Sequence, residues 1–323
     1  MQAIQILHPG GPEALTLTDL PTPSPGTGQA LIRIEASGVN FIDVYFREGR
    51  YPAHLPYTLG QEAAGIIIAL GDDTSASGFK VGDRVAWTTF PGTYAQLAVA
   101  PVALLVHIPE AVTFQQAAAV MLQGMTAHYL CRSTYPIRHG DEVLIHAGAG
   151  GVGLLLTQMA KSLGARVFTT VSNEEKAELS REAGADEVIL YTHEDFADAI
   201  KKLAPQGLDA VYDSVGKTTF DKSLSLLRPR GTLVLFGGSS GPVPPFDLIR
   251  LSQMGSLYVT RPTLKDYIAS RDELIHRATD VLDSVADGTL KLRVEHIYPL
   301  IDAIHAHQDL EGRKTTGKLL LIP

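Results

Sequence analysis

Residues 146–153 read HAGAGGVG, with four glycines in eight positions and no side chain larger than histidine or valine. The apolar run DEVLI (141–145) precedes it, and LLLTQMAKSLGA (154–165), with helical spacing, follows. This is a strand, a turn and a helix start, with Gly148-x-Gly150-x-x-Gly153 at the turn. Alone, the glycine pattern is common to many tight turns. Here each glycine has a mechanical role. One permits the turn, one lets a pyrophosphate reach the backbone, and one lets helix and strand pack closely. The helix N-terminus, with free N–H groups and a favourable dipole, is where phosphates settle. The loop residues Gly148, Gly150, Gly151, Val152 and Gly153 are therefore expected to cradle a dinucleotide. His146, at the end of a buried strand, is expected to be a hydrogen-bonded core residue.

The alternation continues outward. Strand patterns ARVFTTV (165–171), DEVILY (186–191), LDAVYDSVG (208–216), GTLVLFGG (231–238) and GSLYVTRP (255–262) are interleaved with helical patterns at 173–184, 194–204 and 218–227. The strands are continuously apolar, as in a parallel sheet covered on both faces. The expected class is α/β: a Rossmann doubly wound parallel sheet, with right-handed crossovers. Residues 1–110 read as mostly β, with runs such as QALIRIEA (29–36) and AAGIIIALG (63–71) split by Gly/Pro/Ser stretches. TFQQAAAVMLQGMTAHYLCRS (113–133) reads as a helix capped by Thr113, and residues 266–288 as one long helix. The closing GKLLLI (317–322) is a strand with no evident place in the nucleotide sheet, so it is expected to rejoin the N-terminal unit. Expected domains are 1–122 with 265–323, and 123–264.

The chain has 323 residues, is 45% hydrophobic and 19% charged, and carries a formal net charge of −8. The acidic balance argues against a nucleic-acid partner. A single cysteine, Cys131, cannot form an internal disulfide or a tetrathiolate zinc site. No apolar run reaches the ~18 residues of a membrane span. A cytoplasmic protein is expected.

An NAD site places Asp or Glu at the tip of the second strand. Here that strand ends in Ser172-Asn173, with Glu174 and Glu175 next and Lys176 just beyond. Hydroxyl, amide and ammonium donors suit a 2′-phosphate, so NADPH is the expected cofactor. The competing reading makes Asn173 a helix cap and Lys176 a solvated charge.

At this point the sequence resembles the medium-chain dehydrogenase/reductase superfamily, and within it the zinc-independent, ζ-crystallin-like quinone oxidoreductases. The resemblance runs through GGPEALTL, SGVNFIDVYFREGRYP, LGQEAAGII, GDRVAW, AAAVMLQGMTAHYL, HAGAGGVG, YDSVG, GSLYVTRP and LLLIP. It implies a GroES-like, mostly β catalytic domain beside the Rossmann domain, with the active site in the cleft between them. Zinc-containing relatives have a cysteine after a Gly-Val pair and a Gly-His-Glu motif. Here Asn40 follows Gly38-Val39, and Gln61 stands in Gly60-Gln61-Glu62. The metal readings thus fail on ligand count, and without a Lewis acid the alkoxide of an alcohol–carbonyl interconversion loses its usual stabiliser. Quinones and activated enones, which accept a hydride unaided, become the expected substrates.

The resemblance further implies that Asn40 and Tyr45 contact the nicotinamide or the substrate carbonyl, that Gln61 faces the cleft, and that Thr126, Tyr191, Ser214, Val215, Phe236, Gly237, Gly238 and Arg313 line the cofactor. It implies a homodimer joined at the strand of GSLYVTRP, the expected edge of the Rossmann sheet. The leading expectation is an NADPH-dependent quinone reductase. Alternatives are an enone or alkenal C=C reductase, and a non-catalytic nucleotide-binding or crystallin-like protein.

Overall fold

The computed structural model describes all 323 residues. The chain divides into two units, Met1–Met125 with Tyr267–Pro323, and Thr126–Asp266.

The Thr126–Asp266 unit holds a six-stranded parallel sheet. Its spatial order is Glu187–Leu190, Arg166–Val171, Glu142–His146, Leu208–Asp213, Leu227–Leu235 and Tyr258–Thr260. In sequence terms this is 3-2-1-4-5-6, the doubly wound order whose ligand crevice lies where the first and fourth strands part. The central strands are apolar along their length because helices cover both faces. Val143, Leu144, Ile145, Val167, Phe168, Ala210, Val211 and Tyr212 are all fully buried.

The other unit is built on a seven-stranded sheet around the long strand Gln29–Val39, with Glu62–Leu70, Arg84–Thr88 and Leu97–Pro101 paired antiparallel within it. The closing strand Lys318–Ile322 pairs antiparallel with Gln29–Val39 (Leu319 opposite Val39, Leu320 opposite Gly38), so it does rejoin the N-terminal unit. It also pairs in parallel with Val294–Pro299. A small sheet of Leu15–Asp19, Gln2–Ile6 and Tyr57–Thr58 completes the β structure. Ile4, Ile6, Leu59, Tyr94, Leu319 and Leu321 form one core, and Ile32, Ile67, Val85, Trp87 and Leu105 another.

Helix Phe114–Tyr129 starts where Thr113 predicts. The Thr113 hydroxyl accepts from Gln116 N–H, and the Gln116 side chain accepts from Thr113 N–H, a reciprocal cap. The expectation of one helix over 266–288 is corrected. A short turn, Leu264–Tyr267, is followed by a separate helix, Arg271–Ala286. Ser270 adopts extended backbone, and its hydroxyl accepts from Glu273 N–H. An apolar period cannot show that break, because a serine that caps from within the run interrupts the backbone and not the pattern. GSLYVTRP is also shorter as a strand than it reads, with only Tyr258–Thr260 paired, although it is the sheet edge as expected.

Candidate functional site

The chain turns from the first Rossmann strand into helix Gly151–Ser162 through Ala147, at φ 54° in the left-handed region, and Gly150, the helix N-cap. A Cβ added at Gly153 would lie 2.2 Å from the Ala147 carbonyl oxygen, and one at Gly148 would lie 2.6 Å from Thr169 Cβ. The loop therefore presses against both its own turn and the second strand, leaving its outer side as bare backbone. The helix it opens is three turns long and offers unpaired N–H groups at its start. These features fit a pyrophosphate.

The neighbouring strand tips are fastened to one another. Tyr191 N–H donates to the Val171 carbonyl (3.1 Å), and the Thr192 hydroxyl to the Ser172 carbonyl (2.7 Å). Tyr191 stands one residue past its strand and is 39% exposed. Asn173 caps helix Glu174–Glu182, its side-chain oxygen accepting from Lys176 N–H at 2.9 Å. Glu174 pairs with Arg181 (2.6 Å). Ser172 and Lys176 are half-buried.

On the far side of the switch point, sequence reading missed Asp213. It is fully buried, and its carboxylate accepts from Val215 N–H (2.8 Å), Gly216 N–H (2.9 Å) and the Thr219 hydroxyl (2.7 Å). It thereby shapes the turn that presents Ser214 and Val215. Ser239 and Ser240 N–H groups donate to the Ser214 and Val215 carbonyls, so Phe236, Gly237 and Gly238 are bound alongside. A Cβ on Gly237 would lie 2.5 Å from the Ser214 carbonyl oxygen. An Asp closing an apolar strand run just before Ser-Val-Gly was the available signal, since Asp bonds its own backbone two residues on in an Asx turn. His146 is a core residue, as expected. Its ring nitrogens bond the Thr170 and Ser223 hydroxyls at 2.9 Å each, and burial lowers its pKa. Thr126 is buried in helix Phe114–Tyr129, and Arg313 lies exposed at φ 56° just past helix Ala303–Glu311.

In the other unit, Asn40 precedes helix Phe41–Arg47, which carries Tyr45. Tyr45 is buried, edge-on to Tyr51 (centroids 5.5 Å apart), with the Arg50 guanidinium 5.3 Å from its ring centre. Gln61 is buried and donates to the Tyr57 hydroxyl at 2.8 Å. At the positions matching zinc ligands stand two amides, and the Asn40 side-chain amide oxygen and the Glu62 carboxylate already share the Lys318 ammonium. Neither thiolate nor imidazole is among these groups, so the donor set does not fit zinc.

A chain of buried polar groups runs away from Asn40. Asp43 accepts from Asn40 N–H (2.9 Å) and the Tyr94 hydroxyl (3.1 Å). Tyr94 meets His307 Nε2 (3.3 Å), and His307 Nδ1 meets Arg47 (3.0 Å). Arg47 can only donate, so it fixes His307 as the Nε2–H tautomer, and every donor in the chain then points toward Asp43. Burial, first among the causes, raises the Asp43 pKa to about 7 and lowers that of His307 to about 3. These shifts have opposite consequences. Between about pH 4 and 7 Asp43 keeps a proton in the fold that it loses on unfolding, so its contribution falls as pH rises. Between about pH 3 and 6.5 His307 takes up a proton only on unfolding, so its contribution grows as pH rises. From pH 4 to 6.5 the two slopes largely cancel. Asp43→Asn should expose a rising stability and His307→Gln a falling one, each on the order of 1 kcal/mol per pH unit. Chemical denaturation at pH 4.5, 5.5 and 6.5 checks this; parallel profiles for both variants and the parent would refute it.

A doubly wound sheet with a glycine cradle at its switch point, together with a GroES-like β unit, defines a medium-chain dehydrogenase/reductase. Known proteins agree. A family model of the alcohol dehydrogenase GroES-like domain matches residues 26–110, and one of zinc-binding dehydrogenase matches 151–285. A quinone oxidoreductase of Pseudomonas aeruginosa is 46% identical over 99% of both chains. A 2-haloacrylate reductase from a Burkholderia species is 39% identical over 100% of this chain and 99% of its own. A mycobacterial protein solved in complex with NADPH superposes with a TM-score of 0.97 at 49% identity, both chains fully covered. The chain belongs to the quinone oxidoreductase family of the medium-chain dehydrogenases/reductases.

Proposed function

We propose that the protein is an NADPH-dependent quinone reductase. The observation that carries this is the bare-backbone cradle of Gly148–Gly153 at the switch point, in a chain 46% identical end to end to a quinone oxidoreductase. NADPH, when bound, supplies a hydride. The chain's residues do the rest. The cradle and the first turn of helix Gly151–Ser162 hold the pyrophosphate. Ser172, Asn173 and Lys176 recognise the 2′-phosphate, with Thr126, Tyr191, Ser214, Val215, Phe236, Gly237, Gly238 and Arg313 along the cofactor. Tyr45 and Gln61 flank the substrate, beside Asn40, and hydride transfer to a quinone asks of them mainly positioning. Tyr45→Phe turnover below half of the parent's supports a proton or hydrogen bond from its hydroxyl; unchanged turnover removes it.

The test follows oxidation of NADPH and NADH with 1,4-benzoquinone, a polycyclic quinone and an alkenal. Turnover of the quinones with NADPH preferred is the expected result. NADPH binding without turnover of any acceptor would leave a nucleotide-binding protein. The identity to a 2-haloacrylate reductase favours C=C reduction as the second reading, and faster turnover of the alkenal would select it.

We further propose a homodimer joined along the short edge strand Tyr258–Thr260, where Tyr258 is 61% exposed. A monomer mass by light scattering at micromolar concentration would end that proposal. We also propose a cytoplasmic setting, since the single cysteine, Cys131, leaves no internal disulfide to form.

A further inference from the structure

The Asn40 amide has two acceptor and two donor positions, and all four are used. Its oxygen accepts from Lys318 Nζ (2.8 Å) and Gln123 Nε2 (3.2 Å). Its nitrogen donates to Glu62 Oε2 (2.9 Å) and the Gly38 carbonyl (3.3 Å). Lys318 also donates to Glu62 Oε2, and Glu62 Oε1 accepts from Leu122 N–H. Lys318 is 3% exposed and Glu62 fully buried. Space for the pair comes from Gly38: a Cβ there would lie 2.1 Å from Glu62 Oε2 and 2.7 Å from Lys318 Nζ.

A buried ion pair is weak grounds for stability, because desolvation offsets much of the attraction. Its geometric effect is firmer. The Lys318 ammonium has donors for both the amide oxygen and the carboxylate, and it adds to the Glu62, Gly38 and Gln123 contacts that oppose the flipped amide. The four segments tied at this point are the end of strand Gln29–Val39, the start of strand Glu62–Leu70, helix Phe114–Tyr129 and the closing strand. The first leads into Tyr45 and the second follows Gln61.

We infer that Lys318 is a positioning residue for the reductase reaction: its ammonium locks the Asn40 amide against Glu62 and so holds Tyr45 and Gln61 in register for substrate. The inference rests on the proposed reductase function. No atom of the Lys318 side chain transfers in it, and the role is orientation alone. It also gives Asn40 a defined part, as the anchor of this corner, with no hydrogen-bonding position left over for substrate.

The test uses the full chain with NADPH and 1,4-benzoquinone. Parent turnover comes first, and its absence would overturn the reductase reading, and this inference with it, whatever the variants do. Given parent turnover, Lys318→Met should lower kcat by about 100-fold, the scale of a misplacement near 1 Å. The NADPH dissociation constant, read by fluorescence, should stay within about three-fold, since the cradle is untouched. The double variant Lys318→Met/Glu62→Gln removes the stranded charge. It should regain the parent's melting temperature without regaining kcat, because the Asn40 oxygen still lacks its cationic donor. If Lys318→Met keeps kcat within two-fold, or if the double variant recovers turnover together with stability, Lys318 is only structural and the inference fails.

Discussion

Arg47→Met should lower the stability of the unit that contains it by about 3–5 kcal/mol, because it strips donors from three acceptors at once and each hydrogen bond left unmade costs about 1–3 kcal/mol. A fall in melting midpoint of roughly 10 °C is the corresponding observation. Arg47 is fully buried at the end of helix Phe41–Arg47. Its Nε donates to the Gly10 carbonyl (3.1 Å), and its two terminal nitrogens grip Glu311 at 2.6 and 3.0 Å. One of those nitrogens also bonds His307. Methionine fills much the same volume, yet leaves a carbonyl, an imidazole nitrogen and a carboxylate without their donor. Lysine would not rescue the site, because one ammonium cannot point toward three partners as the planar fork does. Glu311→Gln should cost less, since an amide oxygen still accepts and the carboxylate is already partly hydrated, with 28% of its side chain exposed. An Arg47→Met variant melting within 2 °C of the parent would show that the network carries no stability.

That network shows where sequence reading stops. The Rossmann half was legible because its signal is local. Apolar strand runs, helical periods and the Gly148–Gly153 loop each report on the residues beside them and imply a doubly wound sheet, while the 3-2-1-4-5-6 order came from the structure, because right-handed βα succession also permits other orders. The capping of helix Phe114–Tyr129 by Thr113 was legible for the same reason. Arg47, Asp43, Tyr94 and His307 come from positions up to 264 residues from their partners, and no pattern of spacing joins them. In sequence, Arg47 is one charge in a stretch that reads as mostly β, and His307 is one of 11 histidines. Lys318 is the instructive case. Nothing in the apolar strand KLLLI marks its opening lysine for a role, and only the pairing of that strand beside Gly38 carries its side chain to Glu62. The substitutions at Asn40 and Gln61 showed that zinc ligands were missing. What filled the place, a lysine from the far end of the chain, needed the fold.

Three of the four loop glycines, Gly148, Gly150 and Gly153, separate packing from ligand approach, and their alanine variants should fall into two kinds. At Gly153 a Cβ meets the Ala147 carbonyl at 2.2 Å and the Gly148 backbone at 3.0 Å. These are backbone atoms that cannot rotate aside, and Ala147 already holds a left-handed conformation. Gly153→Ala should therefore cost about 1–3 kcal/mol as overpacking, lowering the melting midpoint, and the displaced helix start should weaken NADPH binding by roughly 10–100-fold. Gly148→Ala, facing Thr169 Cβ at 2.6 Å and the Ser180 hydroxyl at 2.7 Å, meets side chains and should lie somewhat below it. Gly150 differs. Its φ of −76° and ψ of 168° suit any residue, and its nearest obstacle is the Ala147 carbonyl at 3.2 Å. Conformation does not explain a glycine there, and the crowding is a few tenths of an ångström against the 2.2 Å clash at Gly153, so the approach of a ligand to the backbone is the larger reason. Gly150→Ala should keep the parent's melting temperature in the absence of cofactor while raising the NADPH dissociation constant by on the order of 10-fold. Calorimetry of the cofactor-free proteins beside NADPH titration reads both quantities. If Gly150→Ala binds NADPH as the parent does, the pyrophosphate does not lie over that backbone, and the assignment of the loop as its cradle must be redrawn around Gly148 and Gly153.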